Sequence, residues 1–178
     1  MESSAENLRY PVGRYSPPTQ ITPEYRAAWI ADIEILPRQL RDLVGPLDDA
    51  QLDTPYRPGG WTVRQVVHHL PDSHLNSYVR FRLALTEDCP TIKPYEEGAW
   101  AELTDAKSGP IPSSLELLSS LHQRWVALLR SLAPSDLQRR FRHPDRGEVT
   151  LDWNLGLYAW HGRHHLGHIA ALRQREGW

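Results

Sequence analysis

The sequence predicts an all-α fold, a four-helix bundle with long connections, and three observations carry that prediction. Apolar residues recur at the 3.6-residue helical period in four long stretches. Helix-start signals stand ahead of these stretches. Prolines cluster between them, at 11–23, 55–58, 90–94 and 110–112, while the alternating pattern of a strand is scarce.

The chain has 178 residues, 40% hydrophobic and 24% charged, which suits one globular domain spanning 1–178. Its formal net charge is −2 and it has no long basic block, so neither a nucleic acid nor a membrane surface is expected as partner. Cys89 is the single cysteine, which excludes an intrachain disulfide and a thiolate metal site. No apolar run approaches the length of a membrane span, and the first residues lack the charged-then-apolar order of a signal peptide. A cytoplasmic location is therefore expected.

Residues 1–21, with Pro11, Pro17 and Pro18, read as an extended N-terminal arm. Thr22-Pro23-Glu24 reads as a helix start, with a capping threonine, proline at the first position and an acid in the first turn. Trp29, Ile30, Ile33, Leu36, Leu40, Leu43 and Val44 follow in phase, Ile35 falls off phase, and Pro37 is expected to kink the helix. Residues 46–61 are rich in turn formers. Thr62-Val63-Arg64-Gln65 is a capping box that opens a second helix, with Val63, Val66, Val67, Leu70, Phe81 and Leu85 apolar and Pro71 near its start. Residues 87–112 are too long for a plain connection. Tyr95, Trp100 and Leu103 supply anchors for an ordered lid or wall. Ser113-Ser114-Leu115-Glu116 reads as another capping box, ahead of a stripe at Leu117, Leu118, Leu121, Trp125, Leu128, Leu129 and Leu132. Residues 142–148 read as a turn or the tip of a small hairpin. Thr150 or Asp152 then caps the last helix, where Leu151, Leu155, Tyr158, Ile169 and Leu172 share a stripe and Gly177 marks the stop. The connections are unequal in length, so a plain up-down-up-down order is not dictated.

Four of the nine histidines fall within eight residues of that last helix: His161, His164, His165 and His168. Residues four apart share a helix face, so His161 with His165, and His164 with His168, are each able to grip one cation. The apolar stripe passes through His161 and His165, which makes them the inward pair. A buried imidazole needs partners for both nitrogens, and two on one inward face make a demand that a metal ion satisfies. A third ligand has to come from a facing helix, and the second helix supplies His68 and His69. Helical phase leaves that choice open. His122 and His143 read as surface or turn residues, and His74 is ambiguous.

Two stretches resemble the signatures of the DinB/YfiT-like superfamily. One is Gly59-Gly60-Trp61-Thr62-Val63-Arg64-Gln65-Val66-Val67-His68-His69-Leu70 with Asp72-Ser73-His74-Leu75-Asn76-Ser77-Tyr78. The other is Tyr158-Ala159-Trp160-His161-Gly162-Arg163-His164-His165-Leu166-Gly167-His168-Ile169. Pro94-Tyr95-Glu96, Leu121-His122-Gln123-Arg124-Trp125, the Tyr10-Pro11-Val12-Gly13 start and the Gly177-Trp178 end resemble the YfiT branch, so the resemblance spans essentially the whole chain. It implies a four-helix bundle of unusual connectivity and one divalent metal, nickel or zinc, on three histidines. The family position of the first ligand, the histidine just before the leucine, falls on His69. The His-x₃-His pair falls on His161 and His165. The resemblance also implies a homodimer and a metal-dependent hydrolase acting on a small-molecule substrate, with bacillithiol or mycothiol S-transferases among the relatives.

Three neutral imidazoles leave an open position on the metal, the arrangement of a catalytic site. Asp72, Asn76 and His164 are the candidates for moving protons or orienting water, with His168, Glu96, Glu97 and Glu102 behind them. Thiol transfer is the rival reaction, in which the metal ionises a small thiol. A non-catalytic, metal-stabilised scaffold is the second rival.

Overall fold

The computed structural model describes residues 2–178, with side chains from residue 6 onward. In chain order the helices are α1 (Glu2–Arg9), α2 (Pro23–Val44), α3 (Asp49–Leu52), α4 (Val63–Thr86), α5 (Glu97–Ala101), α6 (Thr104–Ser108) and α7 (Pro112–Ser131). A 3-10 turn at Asp136–Gln138 leads into an antiparallel hairpin, β1 (Arg140–His143) and β2 (Gly147–Thr150), and then α8 (Leu151–Glu176) closes the chain. None of these helices is long and apolar enough to cross a membrane.

The bundle consists of α2, α4, α7 and α8. Its principal packed pairs are α2 with α8, α2 with α7, α4 with α7, and α4 with α8. Going round the bundle the order is therefore α2, α8, α4, α7. The consecutive long helices α2 and α4 lie across a diagonal, and so do α7 and α8. This is the unusual connectivity, and the segments between α2 and α4 and between α7 and α8 carry the two crossings.

The apolar stripes read from the sequence face inward, except at Leu117 of α7, which is 45% exposed because it falls between the buried Leu115 and Leu118 on the outer side of the helix. Ile33, Leu36, Leu40 and Val44 of α2 are buried, while the off-phase Ile35 is 41% exposed. Thr62 and Gln65 close the expected capping box on α4, and Thr150 caps α8 by accepting from the Trp153 amide. Gly177 ends α8 at φ 75°, a left-handed conformation that glycine adopts without penalty. Gly162 lets α2 approach α8, since a Cβ there would stand 2.7 Å from a methyl of Leu36. Two apolar clusters result. One surrounds Trp29, Phe81, Trp125, Phe141 and Leu155; the other surrounds Leu40, Val66, Leu70, Leu118 and Ile169.

Several expectations are corrected. The N-terminal arm is not extended throughout: Glu2–Arg9 is helical, because its helix-breaking prolines act only from Pro11 onward. The stretch after it packs along α8. There the Trp160 indole donates to the Gly13 carbonyl at 3.0 Å, and the Tyr15 hydroxyl donates to the Trp153 carbonyl at 3.1 Å. The capping box at Ser113 does not form. Pro112 starts α7 directly after Ile111, with no side-chain cap, and Ser114 is engaged elsewhere. Between α4 and α7 the chain is ordered, but Trp100 and Leu103 are 40% and 55% exposed. Ile92, Ala101 and Ala106 are the residues it buries, and the Gln65 amide ties it down by donating to the Ala101 carbonyl.

A buried ion pair anchors the start of α8. The Arg26 guanidinium donates to both oxygens of Asp152 at 2.9 and 2.6 Å, and Gln138 donates to the same carboxylate. Removing one partner strands the other charge in a site where it has lost its hydration. Asp152→Ala is therefore expected to lower unfolding stability by about 3 kcal/mol, read as a shift of the urea midpoint with an unchanged slope.

Candidate metal centre

Helices α4 and α8 run antiparallel, as their cross-contacts require. His69 meets His161 and His165, Ser73 meets Tyr158, and Ser77 accepts a hydrogen bond from the Asn154 amide at 2.9 Å. At one end of this ladder the three imidazoles converge. One ring nitrogen from each of His69, His161 and His165 lies within 4.8 Å of the others, and the Nε2 atoms of His69 and His161 are 3.2 Å apart. Trp61 leans on this group, its ring centroid 4.7 Å from that of His69.

His68 is placed apart. Its Nε2 donates to the Gly109 carbonyl at 3.1 Å, which leaves Nδ1 to accept from the Ser114 hydroxyl at 2.7 Å. With both nitrogens engaged, it ties α4 to the start of α7. Adjacent histidines on a helix point about 100° apart, so only one of the pair can face α8.

The expectation that His122 is a surface or turn residue is corrected: it is buried in the bundle, 2% exposed. It lies four residues after Leu118 and three before Trp125, in phase with the α7 stripe, and that signal was in the sequence. His74 is fully buried, four residues after Leu70, by the same logic. Together they form a line of imidazoles with a fixed direction. His122 Nδ1 lies 2.5 Å from the Ile33 carbonyl oxygen, which only accepts, so Nδ1 carries the proton. Neutral His122 then accepts at Nε2 from His74 Nδ1–H at 2.9 Å. His74 in turn accepts at Nε2 from His161 Nδ1–H at 3.2 Å. Each ring has one proton to give, so His161 is left with an unprotonated Nε2, and that is the nitrogen aimed at His69.

Burial keeps these rings neutral. It lowers the pKa of His69, His122, His164 and His168 to about 4, and those of His74, His161 and His165 well below the ordinary value near 6.5. Neutral imidazole is the form that ligates metal. The donor set therefore fits a divalent cation: three neutral rings converge, one has its lone pair fixed in direction, and the buried Nδ1 of His165 has no hydrogen-bond partner. A neighbour that orients a ligating histidine through its second nitrogen is the usual support of such a site.

Of the other candidates, His164 lines the cavity beside this centre, whereas Asp72 and Asn76 are not among the residues that line it. The His164 ring stacks on Trp160 at 4.6 Å between centroids and lines the cavity, with a buried, unpartnered Nδ1. His168 Nε2 donates to the Arg9 carbonyl at 3.1 Å. Asp72 is half-buried, and desolvation together with the nearby Asp105 carboxylate raises its pKa to about 6. The Asn76 amide donates to the Asp72 backbone carbonyl at 2.9 Å. Pro94, Tyr95 and Glu97, from the long connection after α4, form one wall of the cavity, which encloses about 800 Å³.

The DinB superfamily model matches residues 32–169. The chain belongs to the DinB superfamily. A Bacillus mycoides (strain KBAB4) protein named "putative metal-dependent hydrolase" is 57% identical over 173 residues, covering 97% of this chain and 99% of its own. A Bacillus cereus (strain AH820) protein of the same name is 58% identical over 172 residues, again covering 97% and 99%. Among solved structures, YfiT from Bacillus subtilis superposes with a TM-score of 0.94 at 53% identity, covering 97% of this chain and 99% of that one. It is described as a probable metal-dependent hydrolase with an unusual four-helix bundle topology. The fold of this chain has the same character, and its three-histidine cluster suits metal dependence.

Two outcomes follow from the line of imidazoles. His122→Leu removes the acceptor that fixes His74, and is expected to weaken metal affinity by about tenfold or more without abolishing stoichiometric binding. His122→Gln restores an acceptor and is expected to recover much of the loss; competitive titration against a chelator measures both. The metal-free protein is expected to lose stability as the pH falls from about 6.5 toward 4. Over that range the unfolded chain binds protons that the buried rings of the folded chain exclude, so stability rises with pH. Thermal melts at pH 7 and pH 5 check this, with a fall on the order of 10 °C expected.

Proposed function

We propose that this protein is a metal-dependent hydrolase of a small molecule, with one divalent ion, nickel or zinc, held by His69, His161 and His165. The observation that carries the reading is the convergence of three neutral imidazoles, His69 and His165 buried and His161 half-buried, on one side of a cavity open to small molecules. Its support from relatives is their shared description as metal-dependent hydrolases. When bound, such an ion supplies Lewis acidity, polarising a carbonyl and acidifying water.

The chain's own residues do the rest. His74 and His122 hold His161 in one tautomer and one orientation. Trp61 and Trp160 limit the approach of bulk water from the side of the cluster. The hydroxyls of Ser73 and Tyr158, 3.5 Å apart, stand one helical turn from His69 and are placed to hydrogen-bond a substrate carbonyl or leaving group. His164, whose Nδ1 has no protein partner, is the proposed proton acceptor at the cavity wall. Asp72, with a pKa of about 6, is a second group able to exchange a proton near neutral pH. The Asn76 amide is spent on the Asp72 backbone carbonyl and makes no hydrogen bond to the Asp72 carboxylate.

A thiol transferase that ionises a small thiol would use the same three histidines, and the reactions part at the nucleophile. His69→Ala, His161→Ala and His165→Ala are each expected to lose stoichiometric metal on elemental analysis, and full occupancy in any of them removes that residue from the set. Incubation of metal-loaded protein with ester and amide panels, with and without a thiol plus an electrophile, separates the reactions. Thiol-independent hydrolysis that falls by at least about 100-fold in these variants is the expected result; consumption only in the presence of thiol overturns the hydrolase reading.

A further inference from the structure

The charge of the cavity runs against the charge of the chain. The whole protein carries −2, yet Arg9, Arg57, Arg80 and Arg146 line the cavity against two carboxylates, Glu97 and Asp145. Nine other arginine or lysine side chains, Arg14, Arg26 and Arg64 among them, lie in ion pairs with carboxylates. Among the described residues, none of the four in the cavity does.

Arg80 stands out. It lies on α4, and its side chain makes no hydrogen bond to another described residue. Its Nε is buried without a partner. A guanidinium has five donors and sheds hydration at a cost when nothing replaces the water. Arg146, at the tip between β1 and β2, stands over the Trp153 ring at 6.0 Å and is likewise free of any carboxylate. Both guanidiniums bear on His143, which lies between them in charge terms and whose pKa is lowered by burial first and then by Arg80. Phe141, Val149, Trp153 and Leu157 give this end of the cavity apolar walls.

We infer that Arg80 and Arg146 form an anion-binding subsite at the hairpin end of the cavity, and that the molecule handled by the protein is elongated, apolar in its middle and terminated by a carboxylate or phosphate. This deepens the reading of the three-histidine cluster as the reacting end and rests on it. The geometry sets the length. His69 and Arg80 are eleven residues apart on one helix, about 16 Å of axis, and Ser73 and Ser77 mark the same face between them. The oxyanion takes the Arg80 fork, for which guanidinium geometry suits carboxylate and phosphate alike. The reacting bond then lies toward the histidines.

The test reads binding, with each ligand recovered and checked for cleavage, so that failure of hydrolysis and failure of the subsite are separate results. Metal-loaded, full-length protein is titrated calorimetrically with 4-phenylbutyrate, its uncharged methyl ester, and phenyl phosphate. At least one anion is expected to bind about tenfold tighter than the ester, and the stronger of the two identifies the headgroup. Arg80→Gln and Arg146→Gln are each expected to bring anion and ester within about twofold of each other, while Arg130→Gln, on a surface pair with Glu34, leaves the preference intact. Arg146 is exposed on a turn, so its variant keeps the test valid if Arg80→Gln unfolds. Equal binding of ester and anions, no measurable binding of either anion, or a charge preference that survives in the folded variants overturns the inference.

Discussion

The structure depends on keeping a layer of uncharged imidazoles inside a helical bundle. His74 of α4, His122 of α7 and His161 of α8 lie at the level where one apolar cluster gives way to the other. Each neutral ring has one proton to donate and one lone pair to satisfy. A row of such rings has a direction set by whatever stands at its end, and here that is the Ile33 carbonyl on α2. All four long helices therefore contribute to one chain of hydrogen bonds, whose free end is a lone pair on His161. The three-histidine cluster is the open end of a core network, which is why its geometry is inherited from packing and not from a loop.

The same constraint explains the position of the site in the fold. In this bundle α4 and α8 lie side by side, while the connections between α2 and α4, and between α7 and α8, cross its diagonals. That arrangement sets His69 against the His161 and His165 pair and carries Ser73, Tyr158, Ser77 and Asn154 along the same interface. Burial disfavours protonation of the rings, and only neutral rings ligate metal, so desolvation does the work that a depressed ligand pKa requires. At the other end of the groove the logic reverses. Charged guanidiniums are kept without carboxylate partners, in a protein that pairs many of its other basic side chains.

Much of this was legible in the sequence. The four long helices, the caps at Thr62 and Thr150 and the inward facing of His161 and His165 follow from period and spacing. Helical phase did not choose between His68 and His69, because each sits to one side of the α4 stripe; the family resemblance pointed to His69. Residue type does not mark His122 and His74 as buried, because histidine is more often exposed, although both fall in phase with apolar stripes. The helix at Glu2–Arg9 was hidden by the prolines that follow it. The order of helices round the bundle, and with it the direction of the imidazole row, depends on tertiary packing across diagonals that no local pattern encodes. Arg80 has no sequence signature at all, since an unpaired arginine is recognised only once its neighbours are known.

The most direct test of the central claim is a crystal structure of protein purified without chelator, with anomalous data collected on both sides of the nickel and zinc absorption edges. One anomalous peak per chain is expected, at about 2.1 Å from a nitrogen of each of His69, His161 and His165, with His161 bound through Nε2 and at least one position left to solvent. A peak on other residues, or coordination through His161 Nδ1 with the contact to His74 broken, would contradict it.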